Sequence, residues 1–338
     1  MADFDIFAPQ ISQVSYDLSG KTMLLYGTNS TGKTYQSVHF PKPVVLAFES
    51  GLNGLAGVPF FPMRKWSEFV KFVKQLTNDK NSARLKEMYQ TIILDEASVM
   101  GNQCQQFVCE KYGVERIKDG NDGYGLWKEY SDEFERQLNL VTSAGYTCIF
   151  IAHEGTREFN DENGNKYSKI YPFGDKRIID PICNLVDIIA YAAINNPDEN
   201  GNEVKSSLYL KNTRKYHARS RFDYIVPYLK EFTAENLQEA LKEAIKKQER
   251  VEGNVSVSFA QQQAAIERPE MSFDELFTAI KGFAVKMGEL GKKDKYKEIV
   301  ESHLGVGKGV QETTPKQKQL LELIHEDLVE YLDSISAS

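Results

Sequence analysis

Gly27-Thr28-Asn29-Ser30-Thr31-Gly32-Lys33-Thr34 is the stretch that decides the fold. It fits a glycine, four free positions, then Gly-Lys-Thr, the spacing of a loop whose successive backbone N–H groups curl around a phosphate. The flanks agree. Met23-Leu24-Leu25-Tyr26 is an apolar run of buried-strand type, and the residues from Lys33 onward can start a helix. In such a loop Lys33 reaches the outer phosphates and the Thr34 hydroxyl binds Mg²⁺. The pattern therefore implies a nucleoside triphosphate, held by Gly27 to Thr34.

Outward from the loop, strand and helix patterns alternate from residue 22 to about 230. Strands are expected at 22–26, 43–48, 91–95, 146–152 and 187–193, the first four as near-continuous apolar runs. Helices are expected at 33–40, 66–77, 82–90, 97–111 and 125–144. This alternation predicts an α/β P-loop core, a mainly parallel sheet flanked by helices. Asn163-Gly164 marks a turn within 157–171. Asn200-Gly201, before 204–212, reads as an antiparallel hairpin added to the sheet edge. A helix is expected over about 233–250 with Thr233 as its N-cap.

Four parts follow along the chain. Residues 1–20 form an arm with apolar Phe4, Ile6 and Phe7, read as a strap on the core or as a hook onto a neighbouring subunit. The core spans 21–250. Residues 251–270, rich in Ser, Val, Gln and Gly, read as a linker. Residues 271–338 read as a small helical C-terminal module: Ser272 is placed as an N-cap, and Phe273, Leu276, Phe277, Ile280, Phe283 and Met287 recur at helical spacing. A helical segment at about 294–303 and a last helix after Pro315 complete it, and its apolar stripes are expected to form its own core.

The net charge of −7 excludes a surface built throughout to cling to nucleic acid, so any such contact is local. No apolar run approaches the roughly 18–20 residues that span a bilayer, and the N-terminus lacks a secretory layout. Four cysteines at 104, 109, 148 and 183 show neither metal spacing nor a disulfide framework, so a cytoplasmic location is expected.

Asp95 ends the apolar strand 91–94 and is placed to hold Mg²⁺ together with Thr34. Hydrolysis also needs a carboxylate on the attacking water, and two qualify. Glu49 ends the second strand, and Glu96 adjoins Asp95. His153 follows the strand 146–152 directly, where a polar residue senses the outer phosphate or bonds within the crossover. The densest basic cluster is Lys211, Arg214, Lys215, His217, Arg219 and Arg221, a run without an acidic residue. Its Arg219 and Arg221 follow an edge strand and suit a neighbouring subunit's phosphate, a nucleic-acid phosphate or plain surface charge.

On the loop 27–34, Glu49, the Asp95 strand, Phe-Ile-Ala-His at 150–153 and the Arg219, Arg221 pair, the chain resembles RecA-like ATPases of the phage recombination type. The nearest group is the short phage RecA paralogues associated with single-strand annealing. The resemblance covers about residues 20–230. It implies ATP with Mg²⁺, with no guanine-reading Asn-Lys-x-Asp against it. It also implies Glu49 as the water-activating group, and self-association into a ring or filament with Arg219 and Arg221 reaching the next subunit's nucleotide. Two loops would then meet single-stranded DNA: 112–124, with Arg116, Lys118 and Tyr124, and the hairpin 155–173, with Arg157, Lys166, Tyr167, Lys169 and Tyr171. Glu158, Asp161 and Glu162 dilute the second. The expectation is an ATP-hydrolysing, phage-encoded recombination or annealing protein in the host cytoplasm. The alternatives are a nucleotide-dependent loader or adaptor that recruits a protein through 271–338, and a slow nucleotide switch.

Overall fold

The computed structural model describes residues 12–49, 51–52, 54–195, 206–253, 255–266 and 271–336. They fall into two compact units, one within residues 11–264 and the other containing 271–336.

The larger unit is a sheet with helices on both faces. Its strands, in chain order, are β1 (Thr22–Gly27), β2 (Pro43–Ala47), β3 (Phe60–Pro62), β4 (Thr91–Asp95), β5 (Thr147–Asn160), β6 (Lys166–Pro172), β7 (Ile188–Ala193), β8 (Ser207–Tyr209), β9 (Arg219–Ser220) and β10 (Tyr228–Leu229). The main path runs β10-β8-β7-β1-β5-β4-β2-β3. From β7 to β3 every neighbour is parallel, while β6, β8, β9 and β10 are antiparallel additions. Every residue of β1 and β4 is buried, because helices cover both faces and leave no side for polar residues.

Helices α1 (Lys33–Ser37), α2 (Trp66–Leu76), α3 (Asp79–Met88), α4 (Ala97–Tyr112), α5 (Trp127–Ser143), α6 (Lys176–Leu185), α7 (Ala234–Glu252) and α8 (Phe259–Ile266) complete this unit. Successive residues of a strand face opposite ways, and β1 divides accordingly. Leu24 and Tyr26 join Trp66, Phe69, Phe134 and Ile178 on one face, while Met23 and Leu25 join Phe40, Leu237 and Leu241 on the other. Burying each such side chain contributes about 1.5–3 kcal/mol. Truncating fully buried Phe134 to Ala would cost about 3–5 kcal/mol.

The expected core strands are present, and Thr233 caps α7 by accepting the Asn236 N–H at 3.0 Å. The differences have local causes. β5 does not stop at 152 but runs on to Asn160, fourteen residues in all, into a hairpin with β6. The hairpin turns where Asp161 Oδ1 accepts the N–H groups of Asn163 and Asn165 at 3.0 and 2.8 Å. β8 pairs antiparallel with β7 as anticipated, but the Asn200-Gly201 turn lies outside the described residues. α6 escapes a search for periodicity because it is short and carries Pro181. Its start is nonetheless written in Asp175, whose carboxylate accepts the Arg177 N–H at 2.8 Å.

The stretch expected as a linker, 251–270, contains α8. Val257 bridges to Ser15, and Phe259 donates its N–H to Asp17 Oδ2 at 2.7 Å. Gly20 makes room for it: with φ 74°, a Cβ there would stand 2.2 Å from the Phe259 ring. The 12–20 segment thus straps onto the core, while Phe4, Ile6 and Phe7 lie outside the described residues.

The second unit consists of α9 (Phe273–Glu289), α10 (Lys293–Leu304) and α11 (Lys318–Ser336) around Leu276, Ile280, Met287, Val300, Leu321 and Leu328. Ser272 opens it with a reciprocal cap, accepting the Glu275 N–H at 3.2 Å while Glu275 accepts the Ser272 N–H at 2.7 Å. Among the described residues, no helix is long and apolar enough to cross a membrane.

Candidate nucleotide site

The phosphate loop leaves the C-terminal end of β1. Gly27 is required there because β7 passes so close that a Cβ would meet Ala192 O at 2.2 Å. Ser30 (φ 63°) and Gly32 (φ 78°) take left-handed conformations, which fold the loop into a concave run of amides before α1. Thr31 ties the loop to itself, its hydroxyl donating to Thr28 O at 3.0 Å.

Lys33 is 6% exposed and donates to Gly27 O at 2.9 Å, Thr28 O at 2.7 Å and Thr31 Oγ1 at 3.3 Å. Burial pulls its pKa down, and four carboxylates oppose that: Asp95, then Glu154, Glu49 and Glu96. β4 carries Asp95 and is not adjacent to β1, since β5 lies between them. Even so, the Thr34 hydroxyl donates to Asp95 Oδ2 at 2.7 Å. Burial pushes the Asp95 carboxyl up to about 6; the Thr34 hydrogen bond opposes this and the charges of Glu49 and Glu96 add to it.

A buried carboxylate bonded to a hydroxyl is a donor pair for a small hard cation. Among the described residues no cluster of three His, Cys, Asp or Glu could hold a metal alone. Magnesium would therefore take Thr34 and Asp95 together with phosphate oxygens, as such ions usually do. The residues fit the group.

The two catalytic candidates differ in their commitments. Glu96 is the N-cap of α4, its Oε1 accepting from Val99 N–H at 3.2 Å and from the Ser98 hydroxyl, while its buried Oε2 has no partner. Glu49 has no side-chain hydrogen bond among the described residues and lies just past β2. Strand β4 ends at Asp95, so Glu96 sits in the cap rather than alternating away on a strand.

His153 is not at a strand end. It lies within β5, opposite Gly27, with its carbonyl accepting the Phe173 N–H at 2.8 Å. The sequence reading passed over its neighbour Glu154, whose charge bears on Lys33 and whose buried Oε2 has no partner among the described residues. Its signal was available: in a strand that runs on, residue 154 faces opposite to 153.

Arg219 and Arg221 are engaged within their own chain. Arg219 donates to Cys183 O and Val186 O, both at 2.7 Å, and Arg221 to Asn184 O at 3.0 Å and Asp187 Oδ1 at 3.2 Å. They close the C-terminus of α6, whose last carbonyls lack helical partners. β9 pairs with Ile188 and Ile189 at the start of β7, the end of the sheet opposite the phosphate loop. Their donors serve their own chain.

The nucleic-acid candidates divide. Arg116, Lys118 and Tyr124 are exposed. Lys166 is exposed beside Glu158 at 3.4 Å, and Tyr167 stacks on Phe159 at 5.8 Å. Arg157 instead turns inward, 2.6 Å from Asp180 and 3.9 Å from the Tyr171 ring, and Lys169 is buried against Asn212 at 2.7 Å. Alternation along the hairpin puts both on its inner face, so neither is offered to a ligand.

Comparison with known proteins agrees with this geometry. The chain is 45% identical over 328 residues to the SPbeta prophage-derived uncharacterized protein YorG of Bacillus subtilis (strain 168), covering 97% of this chain and 98% of that one. The family model described as AAA domain matches residues 19–222, from the strand before the phosphate loop to just past Arg221. A match over that span, more than half of the chain, makes this protein a member of the AAA domain family and hence a P-loop nucleotide-binding protein.

Proposed function

We propose that this chain is a phage-encoded, Mg²⁺-dependent ATPase of RecA-like recombination type that works on single-stranded DNA. The observation that carries the ATPase reading is the 2.7 Å contact between Thr34 and Asp95, which brings a phosphate loop and a buried acid together from strands that are not neighbours. Magnesium, when bound, neutralises charge on the transferring phosphoryl group. Lys33 binds the outer phosphates, exchanging its loop carbonyls for them. Thr34 and Asp95 hold the metal's protein side. Glu49, uncommitted to any cap, orients the attacking water and takes its proton.

Exposed Arg116, Lys118 and Lys166 support contact with nucleic acid, and the prophage-derived relative supports a phage origin. Self-association into a ring or filament is part of this reading, with residues other than Arg219 and Arg221 reaching across. The test is ATP hydrolysis measured with and without a single-stranded oligonucleotide over a salt series. Stimulation that falls steeply with salt is expected. Hydrolysis indifferent to the oligonucleotide at low salt would instead favour a loader or adaptor. The separate core of residues 271–336 favours that second reading, because it gives a partner a self-standing module to hold.

A further inference from the structure

Four tyrosines stand in one rank across the sheet. Tyr26 of β1 lies opposite Tyr191 of β7, Tyr191 opposite Tyr209 of β8, and Tyr209 opposite Tyr228 of β10. Their ring centroids follow one another at 5.2, 6.0 and 4.9 Å. Tyr216 lies against the rank, 5.3 Å from Tyr191 and 4.6 Å from Tyr209. Burial falls from the centre outward: Tyr26 is wholly buried, Tyr191 is 9% exposed and Tyr228 42%. Tyr26 and Tyr191 are core, Tyr209 and Tyr216 are half-buried against it, and Tyr228 is exposed. Tyr228 is also held in place, its hydroxyl 2.8 Å from Ser207 Oγ, which donates in turn to Lys230 O at 2.9 Å.

Positive charge gathers at the same edge. Lys211, Arg214 and Lys215 are exposed in a run without an acidic residue, within a chain of net charge −7. The Arg214 guanidinium lies 4.8 Å over the Tyr167 ring and 3.4 Å from Asp161 Oδ2 in an exposed ion pair, joining the hairpin to this surface. Ordered aromatic faces beside cations are what unpaired bases and their phosphates require, whereas a duplex keeps its base faces stacked on one another.

We infer that Tyr209, Tyr216 and Tyr228, with Arg214 and Lys215, form a stacking platform for single-stranded DNA. The inference rests on the single-stranded DNA reading above and gives it a location that Arg157 and Lys169, turned inward, do not supply. The buried end of the rank adjoins the nucleotide site, since Tyr26 directly precedes Gly27.

The test is fluorescence anisotropy of a labelled oligo-dT with the full-length protein, at low salt and with a non-hydrolysable ATP analogue. Tyr216→Ala and Tyr228→Ala should each weaken binding about tenfold or more. Tyr228→Phe should remain within about twofold of wild type. Nucleotide affinity without DNA should be unchanged in all three, which also reports correct folding. With the wild-type protein, an abasic strand of equal length should bind at least about tenfold more weakly than oligo-dT. Wild-type binding that survives both alanine variants and the loss of the bases overturns the platform and leaves the single-stranded DNA reading standing at other residues. A wild type without affinity for oligo-dT removes both. Tighter binding of duplex DNA or of the matching RNA also overturns the platform.

Discussion

Lys33 and Arg219 sit at opposite ends of the same sheet and are held in the same way, by main-chain carbonyls. Lys33 donates to Gly27 O and Thr28 O at 2.9 and 2.7 Å, and Arg219 to Cys183 O and Val186 O at 2.7 Å each. What surrounds them differs. Four carboxylates bear on Lys33, whereas Arg219 finishes a helix. A cation with acids around it can give up its carbonyls for an anion. A cation that completes a helix terminus has nothing to replace it if it leaves. The role of each is set by its neighbours, not by its charge.

Lys33→Ala probes the stronger side of this contrast. ATP affinity, measured by calorimetry, should fall about ten- to a hundredfold, corresponding to a lost charge-assisted contact of about 1.5–3 kcal/mol, while the fold persists. Unchanged affinity would mean that the loop does not cradle the triphosphate.

Next is the division between the two acids. Glu49→Gln should lower turnover at least tenfold, equivalent to about 1.4 kcal/mol of barrier, with nucleotide binding retained. Glu96→Gln should do less to turnover and should show its effect in the melting temperature, through the α4 cap. A reversal of these two would make Glu96 the principal base.

Arg219→Ala tests the other end. It should lower stability by about 1–3 kcal/mol, because the final carbonyls of α6 lose their donors, and it should leave ATP affinity intact. An undisturbed melting curve together with lost turnover would restore the intersubunit role.

The smallest effect is one of pH. His217 lies at the Arg219 side with its ring stacked on Tyr171 at 4.6 Å. Burial lowers its pKa to about 4, helped by the charges of Lys169, Arg219 and Arg157. Its folded value lies below the unfolded one of about 6.5, so its contribution is fully present above pH 6.5 and is lost as pH falls toward 4. Thermal melts should show wild type losing stability over that window and His217→Gln losing less. Parallel pH profiles would rule out His217 as the group responsible.

Much of this was legible because it is local. The loop 27–34 announces itself by spacing, and strands buried on both faces announce themselves as apolar runs, as β1 and β4 do. Asp95 was readable for the same reason, though not the fact that it reaches Thr34 past β5. The rest depends on what meets what across the fold. Nothing near residue 219 reveals that α6 ends beside it, and nothing near 259 shows that Gly20 leaves space for an aromatic ring. Arg157 and Lys169 look like ligand-facing charges until the hairpin's inner face is seen to be occupied by Asp180 and Asn212. The tyrosine rank is likewise invisible in the chain, since its members lie at 26, 191, 209 and 228 and are aligned only by register.

The unbroken length of β5 carries a mechanical consequence. From His153, level with Gly27, to Asn160 at the hairpin tip there is no loop and no hinge, only some 23 Å of extended backbone. A rod of that kind transmits tilt rather than absorbing it. A small rotation imposed where it passes between the triphosphate cradle and the acid strand reappears, multiplied by distance, at its far end.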